Sequence, residues 1–71
     1  MTDNALRKAL TTKRLNEGWG IEALYVDMVR VVSIKHAPSA ATVRRFLNNT
    51  RGTRDTAVHF IQRYVDALRA A

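Results

Sequence analysis

Residues 39–52 read SAATVRRFLNNTRG and combine a helix start, an apolar helix face and several basic side chains. The stretch follows Pro38, which disfavours helix at the residue before it, and it begins with Ser39, whose hydroxyl can accept from the amides of a first helical turn. Three apolar residues then recur at helical spacing: Val43, Phe46 and Leu47. The stretch therefore predicts a helix over residues 40–49 with this apolar face directed inward.

The other faces of this helix and the turn after it carry small, polar and basic side chains. An arginine fork matches the acceptors of guanine in the major groove, and small residues in a first turn let the backbone approach the bases. Basic and amide side chains in a following turn are suited to phosphate. The candidate DNA-binding residues are Ser39, Ala40, Ala41, Thr42, Arg44, Arg45, Asn48, Asn49, Arg51 and Arg54.

The charge of the chain supports this interpretation. Residues 28–54 contain six basic side chains and no acidic one, whereas basic and acidic residues balance on either side. The net charge of +6 therefore arises from residues 28–54. Such a one-sided distribution favours a polyanionic partner, most often nucleic acid.

Upstream, the pattern predicts a first helix that Asp3 caps and that ends near Glu17, where Gly18 can adopt a left-handed conformation. Its apolar stripe consists of Leu6, Ala9 and Leu10. Leu15 lies off this stripe, and we expect it to pack with Trp19 across the turn.

A second helix is predicted from residue 21 to near Lys35, because apolar residues recur there with helical period. They are Ile21, Leu24, Tyr25, Met28 and Val32. A short strand over residues 28–34 is the alternative, since that segment contains β-branched residues. Asp27 is spaced to pair with Arg30 at i+3.

The last helix should begin at Thr53 or Asp55 and run toward Ala71, with an unusually wide apolar arc. The arc comprises Ala57, Val58, Phe60, Ile61, Tyr64, Val65 and Leu68. We expect part of it, Val58, Phe60 and Val65, to exceed what one small core can cover and so to form a homodimer interface. The competing interpretation is that it packs on residues 28–34 within one chain.

The expected architecture is all-α, a compact domain of four to five helices over residues 1–71 that includes a helix-turn-helix. At 71 residues the chain is too small for a deep catalytic cleft. It has no cysteine, and we expect His36 and His59 to be a turn residue and an exposed helix residue. No cofactor, metal site, enzyme activity, export signal or membrane span is expected, and a cytoplasmic location fits this composition.

The stretch SAATVRRFLNNTRG resembles the recognition helix and following loop of the lambda-repressor-like helix-turn-helix family. The resemblance extends through residues 53–68, similar to the fourth helix of the family, and back to LRKALTTKRLNEGWGIEAL at residues 6–24. The segment before Ser39 is longer than in the family and has Ala37-Pro38 in place of a glycine. The resemblance implies a small transcriptional regulator of phage or mobile-element type that binds duplex DNA.

Two other functions remain open from the sequence. The basic helix could instead cover an acidic or DNA-mimicking surface of a partner protein. An RNA-binding module is the third possibility, but the sequence lacks the exposed aromatic residues that stack on unpaired bases.

Overall fold

The computed structural model describes residues 2–48 and 55–70 of the chain. These residues form four helices: α1 (Asp3–Glu17), α2 (Ile21–Val32), α3 (Ala40–Leu47) and α4 (Asp55–Ala70). Within the described ranges there is no strand, so the alternative of a strand over residues 28–34 is wrong. The expected all-α architecture is confirmed.

α1 begins and ends through specific backbone contacts. The hydroxyl of Thr2 accepts from the Ala5 amide at 3.2 Å, so the cap is Thr2 and the prediction of Asp3 was wrong by one residue. Gly18 ends the helix at φ 70°, as predicted. The amide of Trp19 donates to the carbonyl of Arg14 at 2.9 Å, which closes the turn and satisfies a terminal carbonyl.

The two residues expected to pack across this turn behave differently. Leu15 is 67% exposed, so its expected packing role is wrong. Trp19 packs against the core as a half-buried side chain. Leu15 points away because it lies off the stripe on which Leu6 and Leu10 are fully buried.

α2 ends at Val32, three residues before the predicted end near Lys35. Ser33 adopts a left-handed conformation at φ 51°, and its amide still donates to the Val29 carbonyl at 3.0 Å. The β-branched pair Val31-Val32 has poor helix propensity, which favours an early end. The segment from Ser33 to Ser39 then connects α2 to α3.

The buried side chains of all four helices form one core, in which α1 and α2 each pack against both α3 and α4. The most deeply buried residues are Leu6, Leu10, Leu24, Met28, Val43, Phe46, Phe60, Ile61, Tyr64 and Val65. Because α4 contacts two helices, a wide part of its surface is covered within one chain.

This packing corrects the argument for a dimer. Phe60 and Val65 are each only 1% exposed, and Val58 is half-buried against the core. The apolar arc of α4 is therefore not surplus surface, because these residues are covered within a single chain.

Candidate nucleic-acid interface

One face of α3 is fixed in the core. Val43 and Phe46 are fully buried and Leu47 is half-buried, as the sequence pattern predicted. The helix ends at Leu47, with Asn48 as its cap, slightly before the predicted end near Asn49. The orientation of the whole helix follows from this face, so the opposite side chains must point to solvent.

The exposed face of α3 is a single stripe. Its four residues follow one another at i, i+3, i+4 and i+7, and each of them is exposed: Ala41, Arg44, Arg45 and Asn48. α3 itself carries no acidic residue. Four of the predicted site residues thus lie side by side on one accessible surface, which we call the α3 stripe.

The N-terminal end of α3 is ordered by its cap. Ser39 accepts from the Thr42 amide at 3.2 Å, as predicted, and the Ser39 and Thr42 hydroxyls are 3.0 Å apart. Thr42 and Ala40 are half-buried beside the stripe, and Ser39 is exposed. The hydroxyl of Thr42 is thus already engaged, so it is less available to a ligand than the stripe residues.

Two acidic side chains of α2 lie close to basic side chains of residues 28–54, and one of these pairs joins residues far apart in the sequence. Glu22 Oε1 is 3.9 Å from Arg44 Nη2, and both side chains are more than half exposed. Arg30 is paired with Asp27, as predicted. No carboxylate among the described residues forms an ion pair with Arg45. The freest positive charge on the α3 stripe is therefore that of Arg45.

Among residues 2–48 and 55–70, Asp27 is the one buried charged side chain, at 9% exposure. The Tyr64 hydroxyl donates to its Oδ2 at 2.6 Å, and Arg30 donates to its Oδ1. Burial alone would raise the pKa of Asp27, but the hydrogen bonds from Tyr64 and Arg30 outweigh it and place the pKa below the ordinary value. Burial, then the bond to Asp27, raises the pKa of Tyr64 well above its usual range. Asp27 is thus an ionised carboxylate with both oxygens hydrogen-bonded, and its bond to Tyr64 joins α2 to α4.

Two contacts at the ends of α3 were missed by sequence reasoning. The Arg7 Nε donates to the Phe46 carbonyl at 2.7 Å, and the Tyr25 hydroxyl donates to the Pro38 carbonyl at 2.6 Å. The sequence placed Arg7 only among the basic residues before residue 28 whose charge is offset by acidic residues. It placed Tyr25 only on the apolar face of the second helix. Both acceptors are backbone carbonyls, so no residue type in the sequence could signal these bonds.

The remaining predicted site residues, Asn49, Arg51 and Arg54, lie outside the described residues. His36 and His59 are exposed, in a turn and on α4 as expected. Across residues 2–48 and 55–70, no group of acidic or histidine side chains is arranged to hold a metal ion. None of the four described helices combines the length and the apolar character needed to cross a membrane.

Comparisons with protein-family models, with curated proteins and with solved structures found no match to this chain. The resemblance to lambda-repressor-like proteins thus rests on the sequence pattern alone.

Proposed function

We propose that the protein binds duplex DNA sequence-specifically and regulates transcription, with α3 as a recognition helix in the major groove. α2 and α3 would then act as the two helices of a helix-turn-helix, joined by residues 33–39. The observation that carries the proposal is the α3 stripe: two arginines, one amide and one small residue on a single exposed helix face.

The stripe has the chemistry of a base-reading surface. Arg44 and Arg45 offer planar forks that match guanine, Asn48 can pair with the edge of adenine, and Ala41 can contact a thymine methyl. An α-helix with its side chains is about 10–12 Å in diameter, which matches the width of the major groove, about 12 Å. Arg51 and Arg54 in the following segment are proposed to contact phosphate, which fixes register without reading sequence.

The test separates base reading from phosphate binding by alanine substitution. Arg44→Ala and Arg45→Ala should each lose about 1 to 3 kcal/mol on a duplex selected by the protein from a randomised library, and little on random duplex. Arg51→Ala and Arg54→Ala should weaken both complexes and lower the salt slope by about one unit each.

Arg63→Ala and Arg69→Ala on α4 are the matched controls, because both side chains are exposed on a different helix. They should change neither affinity. Equal losses on the selected and random duplexes for Arg44→Ala and Arg45→Ala would contradict the assignment of α3 as a recognition helix.

The rival function is an interaction module that covers an acidic surface of a partner protein. The same exposed arginines favour it, but it predicts a different salt dependence of binding to random duplex DNA. A DNA-binding protein releases counterions from random duplex in proportion to the phosphates it neutralises. Titrations of random duplex at two salt concentrations therefore discriminate between the two functions.

Homodimerisation remains part of the proposal as a way to present two recognition helices to a pseudo-palindromic site. Sedimentation at micromolar concentration tests it: a mass near the 8.0 kDa of the chain would refute the dimer. A substitution at Val65 is unsuitable for this test, because that side chain is buried in the monomer core.

A further inference from the structure

α3 depends on other helices for its placement. With 8 residues it is too short to be stable by itself. Its last carbonyls lie beyond the helix's own amides, and the amide of the cap residue Asn48 donates to those of Arg44 and Phe46. Its buried face contributes only Val43 and Phe46 as fully buried side chains. Burial of these two side chains holds the helix against the core, but the hydrophobic effect is non-directional, so fine placement of the helix depends on other contacts as well.

At the C-terminal end, Arg7 of α1 supplies a directional contact. Its Nε donates to the Phe46 carbonyl at 2.7 Å, and its guanidinium lies 4.6 Å from the centre of the Phe46 ring. Asn4 accepts from Arg7 Nη1 at 3.0 Å, which restrains the side chain from the other side. A cation at this end also matches the partial negative charge of a helix C-terminus.

At the N-terminal end, Tyr25 of α2 makes the corresponding contact. Its hydroxyl donates to the carbonyl of Pro38, the residue before the Ser39 cap, at 2.6 Å. At each end of α3, a side chain from another helix therefore donates a hydrogen bond to a main-chain carbonyl. One donor comes from α1 and the other from α2, the two helices against which α3 packs.

We propose that Arg7 and Tyr25 are positioning residues that set the sequence discrimination of α3 on DNA. The inference rests on the proposed function. Hydrogen bonds to base edges need distances near 3 Å and good alignment, so they are sensitive to small displacements of the helix. Attraction to phosphates is long-range and sequence-independent, so it tolerates the same displacements. Loosening either end of α3 should therefore reduce specificity more than general affinity for DNA.

Two substitutions remove the contacts with little other change, and each has a matched control in the same chain. Arg7→Lys keeps the charge but loses the guanidinium geometry, and Arg14→Lys makes the same change on α1, where Arg14 Nη1 donates to the Trp19 carbonyl at 3.4 Å. Tyr25→Phe removes one hydroxyl, and Tyr64→Phe removes another that also donates at 2.6 Å, but to Asp27.

The first measurement is amide hydrogen exchange of residues 43–47 in the full chain without DNA, at a temperature where all variants are folded. Exchange there should accelerate in Arg7→Lys and Tyr25→Phe relative to the rest of the core, and not in Arg14→Lys. For Tyr64→Phe, any acceleration should be spread over the core. Unchanged relative exchange of α3 in both test variants would overturn the inference without reference to DNA.

The second measurement is the ratio of affinities for a duplex selected by the wild-type chain and for random duplex. Arg7→Lys and Tyr25→Phe should each lower this ratio roughly three- to tenfold, the loss of about one hydrogen bond, while the salt slope stays constant. The controls should leave the ratio unchanged. An equal fall on both duplexes would make Arg7 a phosphate contact and overturn the inference.

These readouts separate the two proposals. If the wild-type chain selects no sequence, the proposed function fails, and the effect on discrimination fails with it, whatever the exchange data show. If the wild-type chain selects a sequence but the ratio in both test variants equals that of the controls, the proposed function stands and the positioning roles are refuted.

Discussion

α3 and α4 are held in the molecule by different means. α4 has 16 residues and buries five side chains, packed against α1 and α2. α3 has half that length and buries two, and hydrogen bonds hold it at both ends. α4 adds one buried hydrogen bond, from Tyr64 to Asp27 of α2, to this larger apolar burial, whereas α3 combines less apolar burial with two hydrogen bonds, from Arg7 and Tyr25, at its ends. The helix proposed to read DNA is thus the one with less apolar burial, and it depends more on hydrogen bonds at its ends.

The largest expected effect is on α4. Phe60→Ala removes a side chain that is 1% exposed, so it should destabilise the fold by about 3 to 5 kcal/mol. Leu47→Ala in α3 should cost clearly less, because Leu47 is only half-buried. Urea denaturation followed by circular dichroism measures both, and equal losses would contradict the difference in apolar burial between α3 and α4.

Asp27→Asn should destabilise the fold by about 1 to 3 kcal/mol at neutral pH, because a neutral amide replaces the charged carboxylate that accepts hydrogen bonds from Arg30 and Tyr64. The folded-state pKa of Asp27 lies below 3.8, so its contribution is present above that value and is lost as pH falls through the folded pKa. The difference between wild type and variant should therefore shrink in urea titrations below pH 3.8. A difference that stays constant with pH would show that the charge of Asp27 is not what stabilises α2 against α4.

Ser39→Ala should cost about 1 kcal/mol, since it removes the cap of α3. Thr2→Ala is its control, because Thr2 caps α1 with a hydrogen bond of the same length, 3.2 Å. Both should lower the denaturation midpoint by similar amounts. Only Ser39→Ala should also weaken binding to the selected duplex, and a similar loss of binding in Thr2→Ala would argue against a special role for α3.

Glu22→Gln should change stability by less than about 0.5 kcal/mol, because its pair with Arg44 is long and exposed. Its effect on random duplex should nevertheless be visible as tighter binding, since the variant releases Arg44 from a competing carboxylate. Glu17→Gln removes an equal charge paired with Lys13 on α1. If both variants tighten binding equally, net charge accounts for the effect and the position of Glu22 does not.

The local features of the fold could be predicted from sequence. The Ser39 cap, the Gly18 helix end and the pairing of Asp27 with Arg30 each involve residues within a few positions of one another. Helical period likewise placed Ala41, Arg44, Arg45 and Asn48 off the apolar face of α3. The errors at Asp3 and Lys35 are shifts of helix ends, where neighbouring residues compete for the same cap or end position.

The long-range features could not be predicted in this way. Arg7 and Phe46 are 39 positions apart, and Tyr64 and Asp27 are 37. Helical period shows which face of α4 is apolar, but not how many helices cover it. The wide arc of α4 thus suggested a second copy of the chain, although Phe60 and Val65 are buried within a single chain.

The turn at Gly18 also gives the chain an internal optical reporter. Trp19 is the only tryptophan, and it is held half-buried against the core directly after the left-handed residue. Its indole is partly shielded from water by the folded core, and it lies outside the α3 stripe. The emission wavelength of the chain therefore reports the integrity of the core, and it does so without a label.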